Sequence, residues 1–246
     1  MRTLAPFFLL GALALVLSGC GSDDDEPAPV KTKLDILDPA APHAGKTYAE
    51  WAEAWVQYWT RTAPPECADP IMDATGEYCA LYQDADSPVF FLVGNFGGVS
   101  LRDACVVPAG KSLFFPLLET TGDNAGVPED MLLSDADLQN FVEAGYAVMV
   151  PESLYLTVDG QSIEHLARGG LPSAPYTVDL APDANLYSCS GTDGVEGEFK
   201  GYTSGYFAML APLAPGAHSI TFGGKTSASP QGQALTIDVR YDLTVE

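Results

Sequence analysis

The chain has 246 residues, of which 33 are acidic and 11 are basic, so its formal net charge at pH 7 is −22. A surface this acidic repels nucleic acid, and no cluster of basic residues offsets the repulsion, which argues against nucleic-acid binding. Hydrophobic residues make up 47% of the chain, a fraction that supports a well-buried core.

The first residues have the pattern of an export signal. The basic residue Arg2 precedes a stretch, Leu4–Leu17, that contains no charged side chain. A positive start followed by a short apolar segment and small residues is typical of a secretory signal peptide. The apolar segment is shorter than the ~20 residues that a membrane-spanning helix needs. The sequence therefore predicts export, with residues 1–19 as the signal peptide.

The end of this segment adds a second feature. Leu17-Ser18-Gly19-Cys20 resembles the lipobox of bacterial lipoproteins. The resemblance implies cleavage before Cys20, diacylglycerol on its thiol and a further acyl chain on the new amino group. Two or three acyl chains hold a protein stably on a membrane. The alternative is an ordinary secretory peptide with a chance cysteine.

A polar stretch follows the predicted anchor. Residues Asp23–Glu26 are four consecutive acids, and Pro27 and Pro29 stiffen the chain after them. This composition predicts a disordered stalk over residues 20–45. The run from Ser22 also resembles the acidic surface-export tag of some bacterial lipoproteins, which is the alternative to a plain spacer. By resemblance to enteric sorting rules, Gly21 in place of aspartate favours the outer membrane.

The folded part, residues 46–246, begins with a helix signal. Thr47 followed three residues later by Glu50 is a capping box, which predicts a helix from Tyr48 to about Arg61. This helix carries every tryptophan of the chain, on one face, at positions Trp51, Trp55 and Trp59. The favoured interpretation is that the indoles attach the helix to a sheet. The alternative is a stripe that stacks on sugar rings or other flat ligands.

From residue 88 onward the pattern changes to strands. Val89–Val93 is continuously apolar, whereas 235–245 alternates apolar and polar residues, as a half-buried antiparallel strand does. Further strands are predicted at 105–107, 112–118, 154–158, 176–180, 206–210 and 218–222. Ser134 and Asp137 cap a second helix over residues 134–148. We therefore predict a mainly β fold, an antiparallel β-sandwich with an N-terminal Trp-rich helix and a second, inserted helix.

Four cysteines follow Cys20, an even number that in an exported chain predicts two disulfide bonds. Four cysteines allow three pairings. We favour Cys79–Cys105, which would join the ends of a segment containing a predicted strand, together with Cys67–Cys189. A zinc site is the alternative, but no two of these cysteines have the close spacing typical of one.

Several motifs of the folded part are similar to those of a group of exported bacterial proteins without an assigned activity. The motifs are Tyr48-Ala49-Glu50-Trp51 with Trp55 and Trp59, Asp73-x-x-Gly76-x-x-Cys79, Pro88–Leu92, Arg102-x-x-Cys105-x-x-Pro108-x-Gly110-Lys111, and Gly205–Phe222. The resemblance covers residues 47–245. It implies a single domain and supports the Cys79–Cys105 pairing, and it implies no catalytic residue.

The sequence contains no G-x-S-x-G elbow, H-E-x-x-H, P-loop or dinucleotide glycine motif, so no catalytic residue is predicted. No cofactor is predicted: the favoured interpretation of the oxygen-rich loop Gly122–Asp130 is an ordinary turn, and a calcium site is the alternative. His165 reads as a surface residue and His218 as a cap on the edge of the core. Arg102 and Lys111 are either internal ion-pair partners or part of an anion-binding pocket.

Together these features predict a lipid-anchored envelope protein that acts as a non-catalytic binding or cell-surface interaction module. The expected partners are the membrane, through the anchor, and a carbohydrate or an envelope protein. The alternative is a secreted hydrolase that attacks envelope or extracellular polymer with paired carboxylates ~5–9.5 Å apart.

Overall fold

A computed structural model describes residues 34–60, 67–182, 185–189, 191–192, 194–228 and 232–246. These residues belong to one compact unit, Lys33–Glu246. The predicted signal peptide, Cys20 and most of the predicted stalk lie outside the described residues. Within the described part of the chain, no helix is both long enough and apolar enough to cross a membrane.

Two β-sheets pack face to face, which confirms the predicted β-sandwich. Sheet one has the spatial order β1 (Val89–Phe91), β4 (Ser112–Asp123), β8 (Gly197–Leu210) and β7 (Gly170–Leu180). Sheet two has the order β2 (Gly98–Arg102), β10 (Thr236–Val245), β9 (Gly216–Lys225), β5 (Tyr155–Val158) and β6 (Gln161–Ser162), and β3 (Val106–Val107) also pairs with β10. The alternation predicted for the last strand is confirmed in β10, whose buried and accessible residues alternate.

The sequence predicts an antiparallel sandwich, but three of the strand pairs are parallel. β1 runs parallel to β4, and both β2 and β3 run parallel to β10. These three short strands come from one segment, residues 89–107, that crosses from the edge of sheet one to the edge of sheet two. The sequence does not predict β2, because the consecutive glycines Gly97 and Gly98 at its start are typical of a turn that ends a strand.

Both predicted helices are confirmed. Helix α1 spans Tyr48–Trp59, and its capping box is complete: the Glu50 backbone N–H donates to the Thr47 hydroxyl, and the Glu50 carboxylate accepts from the Thr47 N–H. Helix α2 spans Asp135–Ala147, with Ser134 as its N-cap. The remaining helices of the described residues are short: the single turn α3, at Leu186–Cys189, and 3-10 turns at Glu129–Met131, Pro151–Ser153 and Leu166–Gly169.

Two hydrophobic clusters divide the core. One lies between the sheets, where Phe115 packs against Phe222 with ring centroids 4.6 Å apart. The other lies on the opposite face of sheet one, where α1 packs and where Phe114 stacks on Phe207 at 5.5 Å. Strand β4 therefore contributes alternate residues to both clusters, which makes it the central strand of the fold.

The folded part begins before residue 46, where the sequence places its start. Ile36 is buried in the cluster between the sheets, and the Leu37 N–H donates to the Met209 carbonyl at 2.8 Å. The phenol of Tyr48 donates to the Leu37 carbonyl and accepts from the Met209 N–H. Residues 34–45 are thus part of the packed domain and not of a stalk, because their apolar side chains and backbone groups find partners on it.

Both disulfide bonds are present, and they join the pairs that we favour from the sequence. Cys67 pairs with Cys189, and Cys79 pairs with Cys105. The second bond closes the segment that contains β1 and β2. The cross-links restrict the unfolded chain, and each is expected to add ~2–4 kcal/mol to the free energy of unfolding.

Candidate functional site

The three tryptophans of α1 do not form an exposed stacking stripe. Trp51, Trp55 and Trp59 are buried, with exposed fractions of 3%, 1% and 9%. The Trp51 indole donates to the carbonyl of His43 at 3.0 Å. Their main role is to pack α1 onto sheet one. Two of them, however, also border an internal space.

Trp55 and Trp59 line a cavity of about 300 Å³ between α1, the middle of β4 and the start of β10. The other described lining residues are Ile71, Gly94, Asn95, Phe96, Pro116, Leu117, Leu118, Glu119, Thr120, Thr121, Met149, Thr226, Leu235 and Ile237. Phe96 and Leu235 are 65% and 40% exposed, so they mark the mouth of the cavity. Most of the wall is apolar.

The cavity exists because β1 is shorter than β4. β1 pairs only with Ser112–Phe114, at the start of β4. Beyond that point β4 pairs with β8 on one side, and no strand of the described residues pairs with its other side, so the consecutive residues Pro116–Thr121 border the cavity. Pro116 suits this position, because proline lacks an N–H to donate and is tolerated at a sheet edge.

After β1 the chain turns away from β4 and is held there by buried side chains. The bonds that hold it are Trp55 Nε1 to Leu92 O at 2.8 Å, Val93 N to Tyr241 Oη at 3.2 Å, and Arg102 Nη2 to Gly94 O at 2.9 Å. Because these donors and acceptors are buried, breaking any one of them would leave an unsatisfied polar group. The wall of the cavity is therefore fixed before any ligand arrives.

Arg102 is an anchor of this wall and, among the described residues, does not form the internal ion pair that is one of the two roles suggested by the sequence. It is 2% exposed, and besides Gly94 it donates to the carbonyls of Asp73 at 3.0 Å and Ile71 at 3.2 Å. Its guanidinium lies 5.4 Å from the ring centroid of Tyr241. Backbone carbonyls thus compensate its buried charge. The ammonium group of Lys111 also donates to backbone carbonyls, those of residues 84 and 85.

Glu119 is the polar centre of the cavity. Burial raises the pKa of its carboxyl to about 8, although a hydrogen bond from Thr203 acts in the opposite direction. The Thr203 hydroxyl donates to Oε1 at 3.2 Å, and the Thr121 hydroxyl donates to the same oxygen. Glu119 is therefore mostly a neutral carboxylic acid at pH 7.

A bulge in β4 aims Glu119 at α1. The register between β4 and β8 shifts between Pro116 and Leu118. Before the shift Phe114 faces α1, whereas after it Leu118 packs between the sheets, so Glu119 takes the α1-facing side. The bulge re-aims one side chain at a site, a use that bulges commonly have.

Two buried polar atoms near the cavity lack a hydrogen-bond partner among the described residues. They are the indole nitrogen of Trp59, which lines the cavity, and Oδ2 of Asp69. Burial raises the pKa of Asp69 to about 6, against hydrogen bonds from the backbone of Ile71 and Met72. Buried polar atoms without a partner destabilise a fold. Among the described residues, no such side-chain atom belongs to the cluster between the sheets.

The loop suggested for calcium uses its oxygens internally. Asp123 accepts from the phenols of Tyr176 at 2.6 Å and Tyr187 at 3.2 Å. The side chain of Asn124 bonds both backbone groups of Leu133. No group of three or more His, Cys, Asp or Glu side chains suited to a metal ion is found among the described residues.

His165 and His218 have separate side-chain partners. His218 is bonded through Nδ1 to Asp159 at 2.8 Å and through Nε2 to the carbonyl of Ala214 at 2.7 Å. Its pKa is raised because these bonds outweigh the effect of burial, which lowers it. His165 is bonded to Asp35 at 3.0 Å. The structure therefore does not combine the histidines into one site.

The cavity does not hold a pair of carboxyl groups. Glu119 is the one acid among its described lining residues. Asp123, the next acid on the same side of β4, is four residues further along the strand and is not among the residues that line this cavity.

No family model, curated protein or solved structure matches this chain.

Sequence reasoning misses Glu119, which is one of 33 acids. One signal could have singled it out: it is the one charged residue in the stretch from Ser112 to Gly122.

Proposed function

We propose that the protein is an exported lipoprotein, anchored through Cys20 in the outer membrane, and that its sandwich domain is a non-catalytic binding module. The binding site is the cavity between α1, β4 and β10. The observation that carries the proposal is the preformed, mainly apolar cavity with one half-buried carboxyl group, Glu119, on its wall.

The features of the cavity are those of small-molecule sites. Such sites have volumes of ~300–1,000 Å³, are lined mostly by apolar and aromatic side chains, and contain a few placed polar groups. This cavity, at about 300 Å³, is at the lower limit and fits a compact ligand. A sugar would require many polar partners, and a protein would require a broad surface. We therefore propose a small, largely apolar ligand.

A cavity-filling variant tests this function. Gly94 is buried on the cavity wall, and a Cβ built on it would meet no atom within 4 Å. Gly94→Leu should therefore fill the cavity without displacing the core. In calorimetric titration or ligand-observed NMR with indane as an apolar probe, the wild type should bind and Gly94→Leu should not. Melting curves would show that the variant is folded.

The matched control is Ala217→Leu, which adds a leucine at an exposed position of β9. It should bind indane like the wild type. Equal binding by Gly94→Leu and the wild type would exclude the cavity as the site.

The anchor needs a separate experiment. Protease treatment of intact cells compares the wild type with Cys20→Ala. Membrane retention of the wild type and release of the variant would support the lipid anchor. Identical fractionation of the two proteins would contradict it.

The protease treatment also tests which way the domain faces. Cleavage of the wild type on whole cells would indicate a domain that faces outward, and protection until the outer membrane is opened would indicate the periplasm.

A further inference from the structure

We propose that the ligand is a neutral molecule with an apolar body and one hydrogen-bond-accepting oxygen, such as a ketone, ester or ether, and that Glu119 donates a hydrogen bond to that oxygen. This inference rests on the proposed function, since it assigns a ligand class to the same cavity.

The first reason is the asymmetry of the Glu119 carboxyl. Both hydroxyl groups that contact it, those of Thr121 and Thr203, donate to Oε1. No hydrogen bond from a described residue reaches Oε2. Oε1 therefore acts as the carbonyl oxygen, and the proton of the neutral acid is on Oε2. An O–H group on a cavity wall that is otherwise mainly apolar is a donor that needs an acceptor.

The second reason is the absence of a countercharge. The described lining residues include no lysine, arginine or histidine. The groups that face Glu119 are the hydroxyls of Thr121 and Thr203, and Tyr176 of β7, whose own pKa Glu119 helps to raise. Nothing here stabilises an ionised carboxylate by charge, and the raised pKa of Glu119 agrees with this.

The absence of cationic side chains from the described cavity wall also argues for a neutral ligand. An anionic ligand would enter a cavity without a cation to neutralise it. An ammonium group would need Glu119 to be ionised and would need acceptors for its remaining N–H groups, and burying such a group is costly. A neutral acceptor needs only one hydrogen-bond donor, and the Glu119 carboxyl supplies one.

Three probes of one shape separate these classes. Indane has no polar group, 1-indanone adds an acceptor oxygen, and 1-aminoindane is a cation at pH 6.5. Calorimetric titration at pH 6.5 should give a Kd for 1-indanone about tenfold lower than for indane, the effect expected of one net hydrogen bond. The Kd of 1-aminoindane should be higher than that of indane.

Variants of Glu119 identify the donor. Glu119→Gln keeps an N–H donor and should keep the preference for 1-indanone over indane. Glu119→Leu removes the donor, so it should bind both probes equally while still binding indane. Glu198→Gln, at an exposed position of β8, is the matched control and should behave like the wild type. Raising the pH to 9.5 should abolish the preference in the wild type and leave it intact in Glu119→Gln.

Each contrary outcome has one meaning. Tightest binding of 1-aminoindane would overturn the ligand class in favour of an amine, while the proposed binding function would stand. Equal binding of indane and 1-indanone would also overturn the class alone. Failure of all three probes to bind the folded wild type would overturn the ligand class and the proposed function together.

Discussion

Strand β4 has two halves that differ in their neighbours. The first half, Ser112–Phe115, pairs with β1 through Phe114 and with β8 from Leu113 onward, and every residue in it is buried. The second half, from Pro116 to Asp123, has β8 alone, and from Glu119 onward its residues are only partly buried. One strand thus serves as core where both edges are paired and as the wall of a cavity where one edge is open. The loss of one strand neighbour thus accompanies the change from packed core to cavity wall.

The largest expected effect concerns the first half. Phe114→Ala removes a fully buried ring that stacks on Phe207 and also contacts Tyr48 and Phe91. We expect it to lower the free energy of unfolding by ~3–5 kcal/mol, as large-to-small core changes do. Urea unfolding followed by circular dichroism measures this. A loss below ~1 kcal/mol would contradict the assignment of this half to the core.

The next effect concerns the disulfide that closes the segment containing β1 and the cavity wall. The double variant Cys79→Ala, Cys105→Ala should lose ~2–4 kcal/mol, because its unfolded chain is less restricted. Scanning calorimetry should show the same direction when a reducing agent is added to the wild type. Removing Cys67–Cys189 serves as the comparison, since that bond joins other regions. A melting temperature that reductant leaves unchanged would show that neither bond stabilises the fold.

A smaller effect is expected where the chain is held away from β4. Trp55→Phe keeps an aromatic ring but loses the donor to Leu92 O. The unsatisfied carbonyl should cost ~1–3 kcal/mol. The cavity wall should also loosen, so indane should bind more weakly. Trp51→Phe is the matched control, since its indole bond goes to His43, away from the cavity. If both variants weaken indane binding equally, Trp55 has no special role in the wall.

The last effect, which is absent near pH 4.5 and is the most specific to the second half of β4, is the titration of Glu119. Its pKa in the folded protein, about 8, is above the ordinary value of 4.5. Between these values the folded state binds a proton that the unfolded state lacks, so stability falls as the pH rises from about 4.5 to 8. Glu119→Gln lacks this slope and should melt at a clearly higher temperature than the wild type at pH 9 but not at pH 4.5.

Asp69 adds a slope of the same sign at lower pH, because its pKa is also raised, to about 6. Asp69→Asn therefore separates the two contributions. An identical pH profile for the wild type and Glu119→Gln would show that Glu119 ionises freely and that the cavity does not hold it neutral.

Local signals in the sequence predict much of the fold. The Thr47–Glu50 capping box, the Ser134 cap and the alternation in β10 each depend on residues close together in the chain. The sandwich and the two disulfide bonds follow from composition, turns and cysteine count. The parallel strand β2 is missed because its pairing depends on β10, which is more than a hundred residues away.

The cavity was not predictable in the same way. It depends on the length difference between β1 and β4 and on the bulge that turns Glu119 toward α1, and neither is written in a local pattern. The tryptophan periodicity predicts a shared face correctly. It does not reveal that Trp55 and Trp59 border the cavity at one end of that face.

The placement of all three tryptophans on α1 has a spectroscopic consequence. Because each indole is buried against sheet one or the cavity, their emission should be blue-shifted in the folded protein and should report the docking of one helix. Far-ultraviolet ellipticity, in contrast, is dominated by the two sheets. Denaturation curves from the two signals would coincide if the helix and the sandwich unfold together. They would separate if α1 detaches first, and the cavity would then open before the rest of the domain is lost.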